Sequence, residues 1–93
     1  MTDEEIAGDV AVRAMVLRKI IEPILAGQGA DVQSAVLADL TAMWLAGHIA
    51  ETKKQTKRVR EMLLRDHVKL IRDLIEPSEG ELLDRLVDKS APQ

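Results

Sequence analysis

Residues 32–50 constrain this chain more than any other stretch. At roughly 100° per residue they are apolar on nearly every side, with Asp39 the one acidic or basic residue beside His48. Val32, Val36, Leu40 and Met43 form a stripe of large side chains. Ala35, Ala38, Ala42, Ala46 and Ile49 form a stripe of small ones, and Leu37, Trp44 and His48 a third. A helix that is hydrophobic all round must be covered all round. In a chain of 93 residues that cover comes from the other helices and from a second copy or another protein.

The apolar fraction, 46%, excludes a disordered chain. Its make-up is nearly all Leu, Ala, Val and Ile, with one Trp and no Phe or Tyr. Such a set suits helix-on-helix packing. It leaves little aromatic surface for stacking bases or lining a ligand pocket. Cysteine is absent, which excludes disulfides and thiolate metal sites. The opening Met1, Thr2, Asp3, Glu4, Glu5 is acidic where a secretory signal would be basic. The longest apolar stretch carries Asp39 and His48 and reads as a buried helix, not a membrane span. The expectation is a cytoplasmic protein with no membrane partner.

Helix signals are spread along the whole chain. Thr2 and Glu5 fit a capping box, and Asp3 and Glu4 suit the positive end of a helix dipole. Ile6, Val10, Ala14, Leu17, Ile21 and Ile24 then recur every three or four residues, with Val12, Val16 and Ile20 as a partial second stripe. Pro23 predicts a kink and Gly27 the end. Asp31 is a fair N-cap for the second helix. Thr52 with Gln55 predicts a turn near residues 50–52, against the rival of one unbroken helix over residues 31–76. The third helix carries Val59, Leu63, Leu70 and Leu74, widened by Leu64, Val68, Ile71 and Ile75. A Glu61–Arg65 pair is expected on its polar face. Pro77 is expected to stop it, and Ser78 with Glu81 to cap a short last helix. The likeness of residues 18–23 to residues 72–77 is shared helix-end chemistry. The fold class is therefore all-α: one domain, a small bundle of three main helices (about 3–26 kinked at Pro23, 31–50 and 53–76). A short helix over 79–89 and a frayed tail over 90–93 follow, and dimerisation completes the bundle.

Residues 53–60 hold five cations and no acid: Lys53, Lys54, Lys57, Arg58 and Arg60. Such a block attracts phosphates, and cations at a helix N-terminus oppose the dipole. The plain reading is a solvated helix end. The net charge of −3 and the lack of interleaved aromatics favour it over a nucleic-acid surface. The apolar positions of a DNA-binding helix pair also fall on Lys53 and Thr56. A hairpin turning near residue 51 sets His48 level with Thr56 and ~16 Å from His67, so no shared metal site is expected. His67, among Leu63, Leu64, Leu70 and Ile71, is expected half-buried. Asp39 is expected buried and bridged to Arg65 or to an arginine of the first helix. Trp44 is expected to plug the core near Val59 and Arg60.

No phosphate-cradling glycine loop and no nucleophile in a recognisable setting is present, so neither an enzyme nor a bound cofactor is expected. The surplus apolar surface predicts a non-catalytic interaction or structural module acting as a homodimer or another closed oligomer. Its expected interface is Val12, Val16, Ala35, Ala38, Ala42 and Ile49. The alternatives are a nucleic-acid-associated protein using residues 53–60, or a small enzyme or metal protein using His48, His67 and Asp39.

Overall fold

The computed structural model describes residues 2–90, and the side chains of residues 2–88. The described residues form three helices and no strand: α1 (Asp3–Ala26), α2 (Ala30–Ala46) and α3 (Lys53–Ser90). The chain divides inside α2 into two compact units, residues up to Thr41 and residues from Ala42 on. None of the described residues is fully buried. None of the helices is long and apolar enough to cross a membrane.

The first unit is α1 and the start of α2. The Thr2 hydroxyl accepts the Glu5 amide at 3.1 Å, the cap expected from the sequence. α1 runs unbroken through Pro23 and closes at Gly27 with φ −80°. No left-handed glycine is needed there, because the Gln28 amide returns to the Leu25 carbonyl at 3.0 Å. α2 starts one residue before Asp31, which sits in its first turn and favours the dipole instead of capping it. The fastener between the two helices is Gln33. Its side-chain amide donates to the carbonyls of Leu25 at 2.8 Å and Gln28 at 3.0 Å. The Leu25 carbonyl is an acceptor in the last turn of α1, and the Gln28 carbonyl lies in the loop between the helices.

The second unit is the last turn of α2, the loop 47–52 and α3. The turn between two helices is present, but α2 ends at Ala46, earlier than residue 50. Gly47 adopts no positive φ, so what stops the helix lies in the side chains around it. α3 also differs from expectation. It continues through Pro77 to Ser90, where a stop at residue 76 and a separate helix over 79–89 were expected. Ser78 is therefore helical and does not cap. Proline removes one helical hydrogen bond and crowds the carbonyl four residues back, here that of Asp73. Residues 71–77 are all exposed, so water solvates that carbonyl and only part of the usual penalty remains. Of the expected frayed tail, Ser90 is the last helical residue, and residues 91–93 lie outside the described residues.

A proline and a glycine inside one exposed helix give a direct check. Gly80 is helical, and a Cβ placed on it meets nothing within 4 Å. Gly80→Ala is expected to stabilise the chain by about 0.5–1 kcal/mol and Pro77→Ala by about 1–3 kcal/mol, read from urea unfolding. Were residue 77 a boundary between two helices, Pro77→Ala would leave the midpoint unchanged or lower it.

Candidate functional site

The residues with chemistry gather where α2 hands over to α3. The last carbonyls of a helix lack intrahelical donors, and α2 has no basic residue in its last turn. The chain supplies the donors from two places. The Gly47 amide reaches the Met43 carbonyl at 3.1 Å and the His48 amide the Leu45 carbonyl at 3.0 Å. His48 Nδ1 lies 2.7 Å from the Trp44 carbonyl. A carbonyl only accepts, so Nδ1 is the donor in this contact.

Arg60 does the rest from the second turn of α3. Its Nε donates to the carbonyls of Leu45 at 3.0 Å and His48 at 3.2 Å, and Nη2 donates to the Ala46 carbonyl at 2.9 Å. A fixed fork of donors on a permanent cation matches a helix C-terminus in geometry and in dipole sign.

The loop is held by threonines. The Thr52 hydroxyl accepts the Gln55 amide at 3.1 Å, so Thr52 caps α3 as its sequence context suggested. The Thr56 hydroxyl accepts the Ala50 amide at 3.0 Å and donates to the Thr52 carbonyl at 2.8 Å.

This fastening corrects the hairpin register. Arg60, not Thr56, stands against His48, because the six loop residues 47–52 carry the chain past the end of α2. His67 is then two turns further along, about 10 Å of helix rise, and Trp44 bridges the gap. Its ring centroid lies 5.4 Å from that of His48, edge-on at 80°, and 5.1 Å from that of His67, tilted at 48°. The two histidines therefore flank one indole, closer than the expected separation. Trp44 is 42% exposed, so it lies between the imidazoles at the surface of the chain and plugs no core. The Arg60 side chain, expected beside Trp44, is held on the carbonyls of Leu45, Ala46 and His48. His67 is half-buried, whereas Asp39 is exposed. An exposed carboxylate is solvated by water and needs no arginine. Among the described residues no three His, Asp or Glu side chains cluster as a metal site.

The basic block is divided by the helix. Lys53, Lys57 and Arg60 fall on one face with Glu61 and Leu64, and Lys54 and Arg58 lie roughly 100° round. Arg60 is engaged with α2. Lys57 pairs loosely with Glu61 at 4.0 Å, with the two side chains 79% and 68% exposed. Glu61 thus pairs four residues back, where the sequence suggested Arg65. Such exposed pairs contribute little. An open groove of about 600 Å³ lies on this face. Its lining is mostly apolar, with Leu45, Ile49, Ala50 and Leu64, and its rim carries Glu51, Lys53, Lys57 and Glu61.

No protein-family model, curated protein or solved structure matches this chain.

Sequence reading missed Arg60 and Thr56 as fasteners. The available signal was the absence of any cation in the last turn of α2, with an arginine one turn inside the next helix. Arg60→Ala is expected to lower unfolding stability by about 2–3 kcal/mol, since hydrogen bonds to a charged group each contribute ~1.5–3 kcal/mol and two or more are shared here. Arg60→Lys is expected to recover less than half of that, because an ammonium lacks the fork. Equal stability of Arg60→Lys and the native chain in urea would show that charge alone closes the helix.

Proposed function

We propose that the chain is a non-catalytic helical interaction or structural module that works as a homo-oligomer, a dimer in the simplest case. One observation carries this reading: the long apolar side chains that a bundle would bury remain half-uncovered within their own unit. On α3, Leu70, Ile71, Leu74, Ile75, Leu82 and Leu83 are all between 47% and 56% exposed. Covering the remaining half of each contributes roughly 1 kcal/mol per side chain. For six, the total rivals the net stability of a small domain, about 5–15 kcal/mol. A surface of that size marks an interface.

The same holds for the residues expected at the interface. Val12 and Val16 on α1 are 56% and 51% exposed, and Ile49 in the loop is 80% exposed. Ala35, Ala38 and Ala42 on α2 are exposed as well. Small side chains at that spacing let a second helix approach closely. The nucleic-acid reading has less support, because Arg60 closes α2 and the remaining cations face two directions. The enzymatic reading lacks a base aimed at a nucleophile, and the two histidines are packed on Trp44.

The test is the solution mass by size-exclusion chromatography with light scattering, at low and high salt. The expected result is a species near twice the chain mass of 10.3 kDa, unchanged by salt because the contact is apolar. A monomer at every concentration up to the millimolar range would overturn the reading.

A further inference from the structure

The groove between the end of α2 and the start of α3 has the chemistry of a surface that recognises itself. Two of its polar side chains are already engaged with the backbone. The Thr56 hydroxyl holds the Ala50 amide and the Thr52 carbonyl. The Arg60 guanidinium holds three carbonyls. A small-molecule site keeps a few unpaired polar groups aimed at its ligand, whereas Thr56 and the Nε and Nη2 atoms of Arg60 are committed to the backbone here. The floor is Leu45, Ala50 and Leu64, and Ile49 stands beside it 80% exposed.

The lining carries two carboxylates, Glu51 and Glu61, and three cations, Lys53, Lys57 and Arg60, of which Arg60 is turned to the carbonyls at the end of α2. A phosphate chain would meet repulsion from both carboxylates there. A two-fold contact, by contrast, requires one patch that complements its own image. Charges of both signs around an apolar floor can meet their opposites across such a contact. The groove also continues along α3 as a stripe of Leu64, Val68, Ile71 and Ile75, spaced four, three and four, and 36–56% exposed. That spacing keeps one face turned toward a neighbouring helix for about 17 Å, longer than a small ligand needs and suited to a helix.

We infer that this groove and stripe form a two-fold contact between two copies of the chain, with Ile49 of each seated against the apolar floor of the other. Lys53 and Lys57 of one copy face Glu51 and Glu61 of its partner. The loose Lys57–Glu61 pair within one chain gives way to the contact between chains. This rests on the homo-oligomer reading above and sets the contact on the groove, which shares only Ile49 with the interface expected from the sequence.

Charge reversal tests it, because the two rims can be made repulsive and then matched. Lys53→Glu with Lys57→Glu leaves four carboxylates on the rim, and Glu51→Lys with Glu61→Lys leaves four ammoniums. All four side chains are exposed, and circular dichroism checks that each variant stays helical. At low salt each variant alone is expected to dimerise at least tenfold more weakly than the native chain by sedimentation equilibrium. An equimolar mixture is expected to recover the native affinity or exceed it, with the mixed dimer identified by native mass spectrometry. Ile49→Asp is expected to weaken dimerisation tenfold or more at any salt. Two variants that each dimerise like the native chain would overturn the groove as the contact while leaving the oligomer reading intact. Weakened variants whose mixture does not recover would overturn it too. A native chain that is monomeric throughout would overturn both.

Discussion

The Arg60 guanidinium at the end of α2 is the contact on which the second unit depends. It meets the carbonyls of Leu45, Ala46 and His48, and so ties a position early in α3 to the last turn of α2. That tie fixes the register of the hairpin, and the register decides which side chains meet. It brings His67 within reach of Trp44 and leaves Ile49 outside, beside a groove whose floor is apolar. Without a cation at that place the last carbonyls of α2 would need water, and the loop 47–52 would lose the anchor that Thr56 shares with it. Of the five cations in the basic segment, Arg60 is thereby accounted for by the carbonyls it holds. The energy gained at the C-terminus of α2 offsets the unfavourable start of α3.

The second constraint is arithmetic. Each of the two units has more apolar surface than it covers by itself. In α3 the problem is length: 38 residues make a helix of about 57 Å. The short last turn of α2 that shares its unit covers only a fraction of that. The ion pairs along the outer faces, such as Asp9 with Arg13 and Lys69 with Asp73, each at 3.0 Å, are exposed four-apart contacts. They add tenths of a kcal/mol at most sites and cannot substitute for a covered core. The self-association proposed above would bury these leucines and isoleucines.

Much of this was legible in the sequence. The all-α class and the bounds of α1 followed from apolar spacing and from the cap at Thr2, and the separation of α2 from α3 followed from the cap at Thr52. These are local signals, settled within one turn of helix. The errors arose where a local signal met a longer-range one. Pro77 with Ser78 and Glu81 looks like a stop and a restart, yet strong helix formers on both sides and solvent at Asp73 let the helix continue. Asp39 looked buried because its helix neighbours are apolar, but burial depends on what packs there, and nothing in the spacing says which face stays open. His48 and His67 looked far apart because the register was reckoned from the turn position alone. Arg60 sets that register, and a side chain reaching across a loop leaves no periodic trace.

Coupling between folding and self-association is the most direct measure of whether the open apolar faces are covered by a second copy. The thermal unfolding midpoint, followed by circular dichroism at 222 nm, should be recorded over a hundredfold range of protein concentration, roughly 1 to 100 µM. A dimer that folds as it assembles gains stability by mass action, so the midpoint should rise by several degrees across that range. A midpoint independent of concentration, in a chain whose mass is that of a monomer, would contradict the account.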